Sequence, residues 1–85
     1  MKYSIEFSRR AARQIDELEA TLRIRVIKKI EALSDNPRPL GVQKLVGSEN
    51  DYRIRIGDYR VVYEIRDSVL VVIVIKVTHR RQVYG

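Results

Sequence analysis

One stretch, YRIRIGDYRVVYEI at residues 52–65, constrains the fold more than any other. Apolar and basic side chains alternate through Tyr52, Arg53, Ile54, Arg55 and Ile56. Successive side chains leave a strand on opposite sides, so this alternation marks a strand with one buried face. Gly57 and Asp58 interrupt the pattern, which resumes at Tyr59, Arg60, Val61, Val62 and Tyr63. Glycine at the first central position suits a two-residue type II′ turn, whose twist matches the flanking strands. Such a turn fixes the register. It predicts Ile56 opposite Tyr59, Arg55 opposite Arg60, Ile54 opposite Val61, Arg53 opposite Val62 and Tyr52 opposite Tyr63. One hairpin face is then apolar and aromatic, and the other gathers Arg53, Arg55 and Arg60. Like charges facing each other across strands cost up to about 1 kcal/mol per pair. Three guanidinium groups kept together despite that cost point to an anion, and phosphate matches the arginine fork.

The chain of 85 residues is sized for a single domain, 1–85. It carries 17 basic against 11 acidic residues, a net charge of +6, which favours nucleic acid, a membrane surface or an acidic protein as partner. The absence of cysteine excludes disulfides, cysteine-based zinc sites and thiol catalysis, and fits a reducing compartment. A single histidine excludes most histidine-built metal sites. Charges at Glu6, Arg9 and Arg10 speak against a secretory signal, so the expected location is the cytoplasm. The longest apolar run, 69–75, is too short to cross a bilayer, and its β-branched bias predicts a strand buried on both faces.

Along the chain, residues 2–7 alternate Tyr3, Ile5 and Phe7 against Lys2, Ser4 and Glu6, which predicts a first strand. Ser8 is a helix N-cap candidate, followed by an apolar stripe at Ala11, Ala12, Ile15 and Leu18. After a short break at 19–21, a second helix runs to about Leu33, with Leu22, Val26, Ile27, Ile30 and Leu33 inward. Ile24 does not fit that stripe. Pro37 and Pro39 stop the helix. A loop over 40–51, with a short extended piece at 43–46, leads into the hairpin. Asp67 and Ser68 turn the chain into a last strand over 69–77. These elements describe an α+β fold: a small twisted, mostly antiparallel four-stranded sheet in the order β-α-α-β-β-β, with both helices on one face. The arginines lie on the other, open face. Tyr52, Tyr59 and Tyr63 fall on the apolar side and belong to the core. Glu64 falls on the arginine side as an ion-pair partner for Arg66 or a nearby arginine.

Outside the hairpin, the tail with His79, Arg80, Arg81 and Tyr84 is the next candidate, gaining weight if the last strand adjoins that of Arg60. The outward residues Arg23, Arg25, Lys28 and Lys29 form either a solvated face or a sequence-independent grip on phosphates.

These residues resemble the RelE/ParE toxin superfamily of toxin–antitoxin systems over nearly the whole chain. The most specific parts are Tyr52, Arg53, Ile54 and Arg55; the run from Gly57 to Tyr63; and the tail His79, Arg80, Arg81, Gln82, Val83 and Tyr84. The tail favours the RelE branch. The resemblance implies a RelE-like, microbial-RNase-type fold and a ribosome-dependent endoribonuclease that cuts mRNA in the ribosomal A site. The ribose 2′-OH would attack the adjacent phosphate, without metal or other cofactor. It implies catalytic roles for Arg53, Arg55, Arg60, Arg80 and Tyr84; His79 joins them as a catalytic candidate from its own chemistry, and the basic residues Arg23, Arg25, Lys28, Lys29, Lys44 and Arg81 are the expected contacts to RNA or ribosome. Arg60 and Arg80 would hold the phosphate, and Tyr84 would orient or activate the nucleophile. Family members with the best-defined chemistry carry lysine where Arg53 and Arg55 stand. Arginine stays protonated near neutrality, which leaves proton transfer to His79 or Tyr84, imidazole being the better suited. The implied partners are a cognate antitoxin covering the basic face, the ribosome and its mRNA, and operator DNA when antitoxin is bound, with no membrane. A ParE-like gyrase inhibitor and an inactive antitoxin-binding or corepressor module are the alternatives.

Overall fold

The computed structural model describes residues 2–81. Its elements run β1 (Ser4–Phe7), α1 (Arg9–Asp16), α2 (Ala20–Ala32), β2 (Gln43–Lys44), β3 (Asp51–Ile56), β4 (Tyr59–Arg66) and β5 (Val71–His79). The strands form one sheet in the order β1-β5-β4-β3-β2. β1 lies parallel to β5, and the other pairs are antiparallel. The α+β class and the mostly antiparallel sheet agree with the sequence. The strand count does not: the sheet has five strands rather than four. The extra one is β2, a two-residue edge that sets Gln43 opposite Arg53 and Lys44 opposite Tyr52. Two extended residues carry too little alternation to be read as a strand.

The hairpin of β3 and β4 has the predicted register at all five pairs read from the sequence, from Tyr52 with Tyr63 to Ile56 with Tyr59. Gly57 takes φ 59°, and Asp58 keeps a negative φ, as a type II′ turn requires. Ile54, Ile56, Val61 and Tyr63 face the helices. Ala11 and Ile15 of α1, and Val26 and Ile30 of α2, close the core from above. α1 lies over β5, and α2 over β3. Ile24, outside the stripe, is 58% exposed and takes no part in that core.

Ser8 caps α1, its Oγ accepting the Ala11 N–H at 3.0 Å. The helix break falls at 17–19, slightly earlier than expected, because the Glu19 carboxylate accepts the Thr21 N–H and starts α2 at Ala20. β5 runs two residues later than expected. A 3-10 turn at Asp67–Val69 and Leu70 at φ 54° take up the connection. The strand is not buried on both faces: Val72, Val74 and Val77 are buried, whereas Val71, Ile73 and Ile75 are partly exposed on the open side or at the bulge.

That bulge positions the site. Val62 pairs with Lys76 but Tyr63 pairs with Val74, so Ile75 is an extra residue. The extra residue exchanges the two faces of β5 beyond it. Val77 and His79 turn to the helices, while Lys76 and Thr78 turn to the arginines. Beyond the end of β1, side chains satisfy the backbone of β5. The Ser8 hydroxyl donates to the Ile75 carbonyl at 2.6 Å, and Gln14 Oε1 accepts the Val77 N–H at 2.7 Å.

The far end of the sheet is tied by Asp67. Its carboxylate accepts both terminal nitrogens of Arg38, at 3.2 and 2.8 Å, and the Tyr3 hydroxyl at 2.6 Å. The Arg38 guanidinium, followed by the Tyr3 hydroxyl, holds the Asp67 carboxyl at about 2.

Candidate phosphate-binding groove

Arg53, Arg55 and Arg60 come together on the open sheet face, where with Gly41, Gln43 and Ile54 they line a groove of about 320 Å³. The groove lies at the β2 edge of the sheet because β2 stops after two residues and leaves the outer side of Arg55 unpaired. Arg55 and Arg60 are direct cross-strand neighbours, and Thr78 stands on the other side of Arg60.

Two of the guanidinium groups are fixed from behind. Arg53 Nε donates to Gln43 Oε1 at 2.8 Å, and Arg55 Nε donates to the Gly57 carbonyl at 3.3 Å. With Nε engaged, an arginine offers its two terminal nitrogens to a ligand. That end-on pair matches two oxygens of a phosphate. Fixing the side chain beforehand also removes part of the ordering cost when an anion arrives.

Arg80 joins the same end of the hairpin. Its N–H donates to the Asp58 carbonyl at 2.8 Å, and its guanidinium lies 3.7 Å from the Asp58 carboxylate. Arg81 is exposed, its N–H donating to His79 Nδ1 at 3.1 Å. His79 is not brought to the arginines. It pairs with Tyr59 on the helix face, edge-on to that ring at 5.0 Å between centroids. There it lines a separate cavity with Gln14, Glu17 and Leu18. The β5 bulge is the reason. Tyr84 lies outside the described residues.

The basic residues of α2 divide. Arg25 reaches the hairpin turn, its Nη2 3.9 Å from where a Cβ on Gly57 would stand. Lys29 lines a cavity together with Arg55. Arg23 instead donates to the Asp16 carbonyl at 3.2 Å, completing the end of α1. Lys28 is exposed. Lys44 shares a pair with Tyr52 and so faces the side opposite Gln43. Glu64 is ion-paired with Arg66 at 3.0 Å.

Three groups on the groove side are not found by sequence reading: Gln43, Lys76 and Thr78. Lys76 sits in one cross-strand row with Val62 and Arg53. Its signal was a lone lysine in an apolar run, but strict alternation would have grouped it with Val72 and Val74. Among the described residues no cluster of three or more His, Asp or Glu is placed to hold a metal ion. No helix among them is long and apolar enough to cross a membrane.

Fold and groove together describe a small basic α+β protein with a cationic, open sheet face. The family model for the ParE toxin of type II toxin–antitoxin systems, parDE, matches residues 5–84. The mRNA interferase toxin RelE of Escherichia coli is 33% identical over 84 residues, covering 96% of this chain and 87% of that one. The archaeal RelE of Pyrococcus horikoshii, solved with RelB, superposes with a TM-score of 0.84 at 27% identity, covering 94% of this chain and 97% of that one. The intact RelBE toxin–antitoxin complex of E. coli gives a TM-score of 0.80 at 33% identity, covering 91% of this chain and 95% of the matched one. The chain belongs to the RelE/ParE superfamily and is a RelE-type toxin of a toxin–antitoxin system.

Proposed function

We propose that this toxin is a ribosome-dependent endoribonuclease that cuts mRNA in the A site and is neutralised by a cognate antitoxin. The observation that carries the reading is the groove of Arg53, Arg55 and Arg60, with two of its guanidinium groups fixed through Nε. The E. coli relative is named an mRNA interferase, and the similar solved structures include RelE–RelB complexes.

In the proposed reaction, the ribose 2′-oxygen attacks the neighbouring phosphorus and its proton passes to a base. The bond from phosphorus to the 5′-oxygen breaks, and that oxygen takes up a proton. The products are a 2′,3′-cyclic phosphate and a 5′-hydroxyl. Negative charge grows on the non-bridging oxygens, where preorganised donors stabilise the transition state most. Arg53, Arg55, Arg60 and Arg80 fill that role. Tyr84, on the segment that follows Arg81, is assigned to the 2′-oxygen. His79 is left out of the proton transfer because its ring faces the helices. No metal or other cofactor is assigned a role.

The match to the ParE model favours one second reading, inhibition of DNA gyrase. Purified toxin added to translating ribosomes, with mRNA ends mapped by primer extension, separates the two. Cuts at A-site codons that require ribosomes support the nuclease. Intact mRNA together with lost gyrase supercoiling establishes the other reading.

Gln43 gives a subtler expectation. Gln43→Leu keeps the bulk of the side chain but removes the acceptor that fixes Arg53. Cleavage should slow by about tenfold, the worth of one ordering hydrogen bond. Single-turnover rates at saturating toxin measure this, and a rate equal to wild type would show that Arg53 needs no such support.

A further inference from the structure

A second cavity of about 410 Å³ adjoins the arginine groove, between the end of α2 and the loop at 39–41. Arg55, Ile54 and Gly41 line both spaces, so one opens from the other around the Arg55 side chain. Resting on the endoribonuclease reading, we propose that this cavity is a nucleobase subsite. It takes the base of a nucleotide flanking the phosphate that is cut.

The lining fits a base better than other chemistries. Ala32, Pro39 and Leu40 provide apolar surface for the flat face of a base, over a floor closed by the buried Leu33. Leu40 is fully exposed, so none of its apolar surface is committed to the toxin's own core. Asn36 supplies an amide for the polar edge. Its Oδ1 accepts the Arg38 N–H at 3.1 Å, which anchors the side chain and leaves Nδ2 as the donor. The loop is held by the Val42 N–H donating to the Pro39 carbonyl at 3.1 Å. Lys29 and Arg55 place positive charge beside the cavity, where the sugar–phosphate backbone has to run. A base hangs one sugar away from its phosphate, which matches two spaces divided by one arginine. This subsite would give the toxin a sequence preference of its own, beyond whatever the ribosome imposes.

The test maps cut sites across a mixed pool of translated mRNAs and tabulates the nucleotide at each position around the cut. Ala32→Trp fills the cavity, and Leu40→Ser removes a wall. Val46→Ser alters another fully exposed apolar residue, outside the cavity, as a control. Wild type and Val46→Ser should share a preference at one position beside the cut. In both cavity variants that preference should fall by about fivefold or more, the weight of one stacked base. Profiles unchanged in both variants, with cutting still dependent on Arg60, would overturn the subsite and leave the nuclease reading standing. The same holds if antitoxin binding is lost while the profile is kept, because the occupant is then a protein segment. No cutting by wild type removes both.

Discussion

A folded Arg60→Ala toxin should cut mRNA about a hundredfold more slowly than wild type, or worse. The size follows from the effect of removing one preorganised donor from a charge-stabilising site. Arg60 is the central strand's contribution to the groove, with Arg55 on one side and Thr78 on the other. Its side chain leaves β4 on the face away from the helices, so its loss opens no hole among Val61, Tyr63 and their neighbours. It also removes a like-charge contact with Arg55. Arg60→Lys sharpens the comparison. It keeps the charge but not the planar fork, and it should recover only part of the rate if two phosphate oxygens are gripped at once. Circular dichroism and thermal unfolding verify the fold, and primer extension on stalled ribosomes reads the cut. Wild-type cleavage by a folded Arg60→Ala protein would falsify the assignment of this groove to catalysis.

The largest loss of stability is expected at Tyr63. The residue is fully buried in the middle of β4, and its hydroxyl donates to the Pro37 carbonyl at 2.8 Å. Its ring stacks on Tyr52 with centroids 6.2 Å apart. Burial pushes the phenol above the ordinary tyrosine range, so it remains a donor at any physiological pH. Tyr63→Ala should cost about 3–5 kcal/mol, as other buried aromatic truncations do. That is a large share of the roughly 5–15 kcal/mol that holds a small domain together. Tyr63→Phe isolates the hydroxyl. It should cost about 1–2 kcal/mol, because the Pro37 carbonyl, in the loop after α2, loses its donor. Urea unfolding, with the slope compared between variants, measures both. A phenylalanine variant as stable as wild type would mean that the hydroxyl does not hold the 37–39 turn.

The hairpin was legible to the residue because a two-residue turn leaves one register and alternation then assigns each face. The helix cap at Ser8 and the helix stop near Pro37 were legible for similarly local reasons. What escaped was set by contacts distant in sequence. The parallel pairing of β1 with β5 depends on a crossover through both helices. The bulge at Ile75 is signalled by nothing in an unbroken run of β-branched residues. Its effect on the site was large: His79, expected near the phosphate, turned away, and Lys76 and Thr78 turned toward it. Arg23 and Arg25 look equivalent in sequence. One completes the end of α1, and the other reaches the hairpin turn. Gln43 was hidden because a strand of two residues has no pattern.

The strand order has a consequence for timing. β5 is synthesised after both helices and the other four strands, yet it lies between β1 and β4. While it is still inside the exit tunnel, β1 has nothing to pair with, and Val72, Val74 and Val77 are missing from the core. The arginine hairpin then stands with little beside it, and a hairpin alone is marginal in water. A nascent copy therefore lacks a complete sheet behind its arginines until β5 has emerged. For a protein whose proposed target is the translating ribosome, making β5 the last of the five strands spares the machine that produces it until that strand has emerged.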